Sequence, residues 1–282
     1  ASHLAAMARL QPERAAVICA TVRDKQGELV YEKLDFPELE EASNRLAAGL
    51  TALGIRRGMR TALMVPPGLE FFALTFALFK LGAVPVLIDP GIGLTHLRGC
   101  LAQAEPEAFI GIPKAQAARV VLGWARASVR LCITVGRRWF WGGDTFDAIM
   151  RRTAENTAFA AIEPERDETA AILFTSGSTG APKGVIYTHE MFGAQVDHIR
   201  HIYGIMPGEV DLATFPLFAL FGPALGMTAV IPRMDATRPA KVDPVNIFDA
   251  VRKFGVTNMF GSPALINRVG RHGEKFRKSE EH

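Results

Sequence analysis

A polar loop between two apolar runs carries the residues whose types and spacing suit one kind of chemistry. The runs at residues 170–174 and 185–187 are short and rich in β-forming residues, which predicts two buried strands. The loop offers hydroxyl groups, backbone N–H groups and one lysine with little side-chain bulk, and a bound polyphosphate requires such donors. The predicted phosphate-binding residues are Thr175, Ser176, Gly177, Ser178, Thr179, Gly180, Lys183 and Gly184.

Two other interpretations of this loop fit its residues less well. A Walker A loop requires Gly-Lys followed directly by Ser or Thr, whereas Lys183 lies between Pro182 and Gly184. A flexible Gly/Ser linker would not be flanked by two apolar strands, nor would it end in Pro-Lys-Gly. We therefore interpret the loop as a specific binding site for anionic oxygens.

The loop resembles the phosphate-binding signature of the adenylate-forming superfamily, Thr-Ser-Gly-Ser/Thr-Thr-Gly-x-Pro-Lys-Gly. Its specified positions all match from Thr175 to Gly184. The superfamily contains acyl-CoA synthetases, nonribosomal-peptide adenylation domains and firefly luciferase. The resemblance implies ATP and Mg²⁺ as cofactors, acyl-AMP and pyrophosphate as products of the first step, and Lys183 as a catalytic residue.

A second segment, Pro-Leu-Phe-Ala-Leu-Phe-Gly at residues 216–222, resembles the turn and helix that line the acyl pocket in this superfamily. Many acyl-CoA ligases have His where this chain has Ala219. Gly-Ser-Pro-Ala-Leu at residues 261–265 resembles the turn that forms the substrate wall. The sequence alone does not separate a pocket from plain core here. The resemblance implies the acyl-pocket candidates Phe218, Ala219, Phe221, Gly222, Ser262 and Pro263.

Residues 216–227, together with Asp-Ala-Thr-Arg-Pro-Ala at 235–240 and Gly-Ser-Pro-Ala-Leu at 261–265, resemble the bacterial olefin-biosynthesis branch of the superfamily. Members of that branch close β-hydroxy fatty acids into β-lactones. The resemblance implies a fatty, β-hydroxy acid as the substrate and a β-lactone synthetase as the activity. Two alternatives stay open: a long-chain fatty acid–CoA ligase, which would also need CoA, and a catalytically inactive nucleotide-binding or scaffold module.

Hydrophobic periodicity predicts the elements that position these residues. It predicts a hairpin within residues 16–34, a helix at 39–53, strands at 61–65, 108–112 and 131–135, and helices begun by Thr95, Thr188 and the Asp243-Pro244 pair. Residues 69–81 are apolar on nearly every side but too short to span a membrane, since about 20 residues are needed. We expect them to form a buried core helix. Residues 136–166 show no clean period and are expected to cross between two sublobes.

These patterns predict an α/β fold, and the resemblance implies a partial large domain of an adenylate-forming enzyme with two facing βαβ sublobes. We expect sublobes at about residues 55–165 and 166–282, with residues 1–54 packing as a hairpin plus helix. The superfamily's Tyr-Gly-x-Thr-Glu segment, ribose-binding Asp and C-terminal domain with its catalytic lysine are missing from this sequence. Either the protein itself is a fragment of a superfamily member, or this sequence omits residues of a longer protein. We expect residues 1–282 alone to be inactive as an adenylate-forming enzyme.

Composition restricts the remaining classes of function. The chain has 282 residues, 49% hydrophobic and 22% charged, and its net charge of only +3 argues against a general nucleic-acid-binding protein, for which a concentrated basic face is expected. Cys19, Cys100 and Cys132 are odd in number and far apart, which predicts neither disulfides nor a zinc site and favours the cytoplasm. The first residues lack the features of a signal peptide. Assembly with itself or with another pathway enzyme stays open.

Three of the chain's histidines lie shortly after the phosphate loop, at positions 189, 198 and 201. His189 comes soon after the loop's second strand, and we predict that it supports the site through a hydrogen bond rather than by touching the substrate. His198 and His201 lie one turn apart on a predicted helix, with Asp197 next to His198, but no other cluster completes a metal site. We therefore assign no metal ligands in this chain.

Overall fold

The computed structural model describes residues 2–175 and 182–280. Its strands are β1 (Ala15–Arg23), β2 (Leu29–Asp35), β3 (Arg60–Met64), β4 (Val84–Ile88), β5 (Ala108–Gly111), β6 (Leu131–Thr134), β7 (Asp144–Thr145), β8 (Thr169–Thr175), β9 (Lys183–Thr188), β10 (Val210–Ala213), β11 (Thr228–Ile231) and β12 (Asn258–Phe260). Its helices are α1 (Ser2–Leu10), α2 (Phe36–Ala52), α3 (Leu69–Leu81), α4 (Leu94–Ala104), α5 (Pro113–Leu122), α6 (Phe146–Arg152), α7 (His189–Tyr203), α8 (Pro216–Ala219), α9 (Phe221–Leu225), α10 (Pro244–Phe254) and α11 (Pro263–Glu280).

The chain divides into two compact units, each with one β-sheet. Unit 1 consists mainly of residues 38–198, and unit 2 combines residues 3–37 with the chain from residue 199 onward. The division falls later than the boundary expected near residue 165, because β8 and β9 hydrogen-bond into the sheet of unit 1. Residues 144–152, in the stretch expected to cross between sublobes, form β7 and α6 inside unit 1.

The sheet of unit 1 has the strand order β7-β6-β5-β3-β4-β8-β9. All neighbouring pairs are parallel except β8 and β9, which form an antiparallel hairpin at one edge. Strands buried on both faces require apolar residues throughout, and β4 is accordingly buried at all five positions. The core includes Phe109, Trp124 and Phe174, each at most 2% exposed.

Helix α3 is the buried core helix that its composition predicts. It spans Leu69–Leu81 and ends at Gly82, whose φ of 72° is left-handed and therefore suits glycine. Lys80 in its last turn is 1% exposed and forms an ion pair with Glu40 of α2 at 2.8 Å. Asn44 accepts a second hydrogen bond from the same ammonium group at 2.6 Å. This buried charge links α2 and α3. No helix among the described residues is long and apolar enough to cross a membrane.

The sheet of unit 2 has the order β12-β10-β11-β1-β2. β1 and β2 form the predicted antiparallel hairpin, and β1 pairs in parallel with β11, far away in the sequence. Leu212, Val230 and Ile18 pack with Ile247 of α10 and Leu265 of α11 in one core. The two parallel-rich sheets with helices confirm the predicted α/β class.

Candidate active site

The predicted phosphate loop joins the two strands of the edge hairpin in unit 1. In this hairpin Thr175 pairs with Lys183, and Phe174 pairs with Gly184. Thr175 ends β8 at the carboxyl edge of the parallel strands, where ligands bind in open α/β sheets. The other predicted phosphate ligands, Ser176, Gly177, Ser178, Thr179 and Gly180, lie outside the described residues. The pairing therefore holds the two ends of the loop together.

Lys183 begins β9 with an exposed side chain. In the described part of the chain no carboxylate forms an ion pair with it. A lysine ammonium is a compact charge on a flexible stem and binds phosphate well. The position of Lys183 at the mouth of the hairpin thus fits a bound polyphosphate.

Gly184 has a packing role that the sequence does not reveal. A Cβ atom at this position would lie 2.8 Å from Cζ of Phe174, a ring that is completely buried. Real Cβ atoms do not approach a carbon that closely, so the ring of Phe174 requires glycine beside it. This contact alone explains the last glycine of the loop.

His189 lies at the other end of the hairpin from the phosphate loop. It follows Thr188, which pairs with Thr169 at the start of β8. Six residues of extended chain separate Lys183 from His189, or roughly 20 Å at about 3.3 Å per residue. The structure therefore does not bring the two residues together.

The surroundings of His189 are those of a packing residue. Burial lowers its pKa, and the Glu168 carboxylate acts in the opposite direction. Glu168 is itself held by the Arg57 guanidinium through contacts of 2.8 and 2.6 Å. The imidazole lies edge-on to the ring of Phe79, and its buried Nε2 has no hydrogen-bond partner among the described residues. A neutral ring at the junction of α3 and α7 accounts for these contacts.

The acyl-pocket candidates of unit 2 lie at the carboxyl ends of β10 and β12. Four phenylalanines form a cluster there, which we call the aromatic cluster. The rings of Phe218 and Phe260 stack with centroids 4.2 Å apart, and they are 43% and 49% exposed. Phe215 and Phe221 lie 5.6 and 6.3 Å from Phe218. The cluster thus presents an apolar surface at the edge of a parallel sheet, where ligands bind.

The other acyl-pocket candidates also have local structural roles. Ala219 is completely buried, and a Cβ atom at Gly222 would lie 3.2 Å from Cβ of Ala229. Ser262 caps α11 by accepting a hydrogen bond from the backbone of Leu265, and Pro263 is the first residue of that helix. These residues shape the surroundings of the aromatic cluster.

No motif in the sequence identifies two members of this cluster, Phe215 and Phe260. Oγ1 of Thr214 donates a hydrogen bond to the carbonyl oxygen of Phe260 at 2.5 Å, which joins the two strand ends. The last residues of neighbouring parallel strands meet at one edge. That rule, applied to β10 and β12, would have identified both phenylalanines.

Asp211 of β10 is a buried carboxyl group beneath this region. It pairs with Ala229, so its side chain lies on the sheet face that α9 covers at Gly222. Asp211 is 8% exposed, and burial raises its pKa to about 6 from 3.8. The ionised form is therefore less stable in the folded protein than in the unfolded chain.

We expect Asp211→Asn to stabilise the protein at pH 7.5 but not near pH 4. Because its folded pKa is raised, the contribution of Asp211 to the stability of the wild type is most favourable below pH 3.8 and is lost as pH rises through about 6. The full difference corresponds to about 3 kcal/mol. Urea unfolding at both pH values measures it, with the exposed Asp167→Asn as a control. Equal effects of Asp211→Asn at both pH values would contradict the assignment.

The structure gives no support for a metal site on α7. Within residues 2–175 and 182–280, no three His, Cys, Asp or Glu side chains are grouped so that they could hold a metal ion. Asp197, His198 and His201 are therefore not joined by further ligands in that part of the chain. Magnesium in nucleotide sites is bound by one or two carboxylates together with substrate phosphates, so it does not need such a group.

Comparison with known proteins agrees with this geometry. A model of the family "AMP-binding enzyme" matches residues 4–282. Two curated relatives named olefin beta-lactone synthetase, from Stenotrophomonas maltophilia and Xanthomonas campestris pv. campestris, are 52% and 49% identical over 97% of this chain. The long-chain-fatty-acid–CoA ligase FadD13 of Mycobacterium tuberculosis is 30% identical over 73% of this chain and 41% of its own length.

A solved structure shows the same fold. The apo form of MbtA from Mycobacterium smegmatis matches with a TM-score of 0.80 and 26% identity, over 96% of this chain and 49% of that one. This chain likewise covers 50% and 49% of the two olefin beta-lactone synthetases, about half of each. The family match extends over nearly the whole of this chain and includes both the edge hairpin and the aromatic cluster. The chain therefore belongs to the AMP-binding enzyme family.

Proposed function

We propose that the protein activates a fatty acid with a β-hydroxyl group and then closes it to a β-lactone. In the first step a carboxylate oxygen attacks the α-phosphorus of ATP, the bond to the β-phosphate oxygen breaks, and pyrophosphate leaves. In the second step the β-hydroxyl oxygen attacks the acyl carbon of the acyl-AMP. The hydroxyl proton is lost and AMP departs.

One observation carries this proposal: the similarity to the two olefin beta-lactone synthetases. Identity of 52% and 49% extends over 97% of the chain, whereas the fatty acid–CoA ligase FadD13 reaches 30% over 73%. At 97% of the chain, each match extends over nearly all of unit 1 and unit 2. We infer the substrate class and the product from these relatives, and the site geometry supports the inference at two points.

The first point is the edge hairpin. Charge builds on phosphate oxygens when pyrophosphate leaves, and fixed donors with a nearby cation stabilise that charge. Lys183 is exposed at the hairpin mouth opposite Thr175, and Gly184 allows the hairpin to pack closely on Phe174. In our proposal Lys183 contacts the β- and γ-phosphates, and Mg²⁺ compensates further charge when bound with ATP.

The second point is the aromatic cluster. Contiguous exposed apolar side chains are a feature of ligand-binding grooves. The stacked rings of Phe218 and Phe260 are 43% and 49% exposed at the carboxyl edge of β10 and β12. An alkyl chain could cover both rings. We propose that the aromatic cluster contacts the hydrocarbon part of the fatty acid.

Ala219 favours the lactone over a CoA thioester. A CoA ligase must admit an external thiol beside the acyl-AMP, and many such enzymes carry His at this position. In this chain the position holds a completely buried methyl group. A tethered hydroxyl needs no external nucleophile, and it benefits from the large effective concentration of an oriented intramolecular pair.

The intact enzyme, given a β-hydroxy fatty acid, ATP and Mg²⁺, is expected to release AMP and a β-lactone without CoA. Intramolecular attack makes the second step independent of any added thiol. Mass spectrometry of the products with and without CoA measures this directly. A matched fatty acid without the hydroxyl group is the control, because it can be adenylated but cannot close.

The second candidate, a long-chain fatty acid–CoA ligase, is favoured by the FadD13 similarity. It predicts AMP release that depends on CoA, a thioester product, and equal use of both acids. A thioester as the sole product would exclude the lactone while leaving adenylation in place. If neither acid promotes ATP–pyrophosphate exchange, the protein is not an acyl-activating enzyme for these substrates.

A further inference from the structure

An exposed loop of unit 1 between β6 and β7 carries two arginines and three aromatic residues in succession, from Arg137 to Trp141. Trp139 is 59% exposed and Phe140 is 70% exposed. Side chains of this size are normally well covered. We call Trp139, Phe140 and Trp141 the aromatic tip. The nucleotide and acyl sites proposed above do not use it.

The aromatic tip is restrained by its own contacts. Nε1 of Trp141 donates a hydrogen bond to Oγ1 of the buried Thr134 at 2.9 Å. The ring of Trp141 lies 5.6 Å from that of Trp139 and 5.2 Å from that of Phe140. Gly143, just beyond the tip, has a φ of 77°, and a Cβ atom there would lie 2.2 Å from a backbone carbonyl oxygen. A partner therefore meets rings that are already ordered, which lowers the entropy cost of binding.

The charge around the aromatic tip is positive. Four arginines and two aspartates lie between residues 137 and 152, which leaves a formal charge of +2. Asp144 is paired with Arg152. Arg138 donates to the carbonyl oxygen of Gly143, and its charge also helps to lower the pKa of Asp144, while Arg137 is exposed beside it. The tip thus combines exposed aromatic rings with a net positive charge that suits an anionic partner.

We propose that the aromatic tip docks this protein on the surface of an anionic lipid bilayer. Tryptophan is enriched at membrane interfaces because its ring is apolar and its N–H is polar. Arg137 and Arg138 would lie against lipid phosphates, since basic residues next to a membrane are attracted to anionic leaflets. Trp139 and Phe140 would enter the boundary between head groups and acyl chains.

The size of the patch favours lipid over a protein partner. A stable protein interface buries about 800 Å² on each side, and two exposed rings supply only part of that area. A bilayer needs no complementary surface, so two rings and two cations are enough for reversible docking. Docking would also bring the enzyme to the phase in which a fatty acid accumulates. The inference itself rests on the loop and not on the proposed reaction.

Co-sedimentation of the whole protein with lipid vesicles tests the proposal. We expect more binding to vesicles of phosphatidylglycerol and phosphatidylcholine in equal parts than to pure phosphatidylcholine, and less binding at high salt. The double variant Trp139→Ser/Phe140→Ser is expected to bind about tenfold more weakly. Arg137→Gln/Arg138→Gln is expected to lose the preference for phosphatidylglycerol. Val121→Ser, which alters a 75% exposed apolar residue of α5, is the matched control.

Three results would overturn the proposal. One is a wild-type protein that sediments with neither type of vesicle. Another is a Trp139→Ser/Phe140→Ser variant that binds as well as the wild type while keeping its circular dichroism spectrum. The third is a Trp139→Ser/Phe140→Ser variant that differs from the wild type only in its oligomeric state, measured by light scattering. The aromatic tip would then be an interface between protein chains.

Discussion

Replacing Lys183 with alanine is expected to lower the rate of ATP-dependent acid activation about 100- to 1000-fold, the usual cost of losing one donor that stabilises a transition-state oxyanion. The exposed ammonium at the hairpin mouth would be the group lost. Because phosphate charge is present before and during the reaction, we expect weaker ATP binding as well as slower turnover. Acid-dependent ATP–pyrophosphate exchange in the whole enzyme measures the effect.

Two variants make the Lys183 result specific. Lys114→Ala removes an exposed lysine of α5 in the same unit and is expected to leave the exchange rate unchanged. Lys183→Arg keeps the charge but changes the shape of the donor, so an intermediate rate is expected. A Lys183→Ala enzyme within threefold of wild type would mean that the phosphates bind elsewhere.

Replacing Lys80 with methionine is expected to destabilise the protein by about 3–5 kcal/mol, because removing one partner of a buried ion pair leaves the other charge uncompensated. Lys80 is 1% exposed, and Glu40, its partner at 2.8 Å, is 21% exposed. The partial exposure of Glu40 favours the lower end of this range. Burial lowers the pKa of Lys80, while the hydrogen bond to Glu40 acts in the opposite direction. Urea unfolding measures the loss.

A double variant separates the unpaired charge from the lost packing. Lys80→Met/Glu40→Gln removes both charges, and we expect it to recover a large part of the stability lost in Lys80→Met. The i,i+4 pair of Arg45 and Glu41, on the more exposed part of α2, is the comparison. Its disruption by Arg45→Met also removes packing and backbone hydrogen bonds, so Glu41→Gln is the cleaner control. A Lys80→Met loss below that of Glu41→Gln would contradict the buried-pair argument.

Local signals predicted several elements correctly. Asp243 caps α10 and Pro244 is its first residue, as the sequence indicates, and Gly255 ends it with a φ of 60°. Oγ1 of Thr188 accepts a hydrogen bond near the start of α7, as expected. These helix caps act within one turn of helix, so they can be predicted from the sequence without knowledge of the fold.

Two features of the helices were not predicted correctly from the sequence, namely the start of α4 and the presence of α5. Thr95 was expected to cap α4, but the helix begins at Leu94 with Gly93 before it. No pattern in the sequence predicts α5, which has no side-chain cap and exposes Val120, Val121 and Leu122. A helix with an apolar outer face lacks the usual amphipathic pattern.

The sequence predicts which residues the candidate site contains, but it does not predict which of them lie close together in the fold. Lys183 and the loop were found from a local motif, whereas His189 was placed near them because it is close in sequence. An extended strand moves the chain about 3.3 Å per residue, so six residues separate the two groups by a distance no hydrogen bond can bridge. Phe260 shows the converse, since it stacks on Phe218 from a strand more than forty positions away.

The parallel pairing of β1 with β11 bears on the order in which the protein is made. Residues 3–37 leave the ribosome before unit 1, yet their neighbours in the sheet begin only after the whole of unit 1. At about 5–20 residues per second, the roughly 200 residues between these strands take on the order of 10–40 s to synthesise. Until then one edge of the nascent β1–β2 hairpin has no strand to pair with, and unpaired edges invite aggregation. Unit 1 can fold during this interval. Unit 2 can fold only after β11 has been synthesised, so the β1–β2 hairpin must avoid aggregation until then.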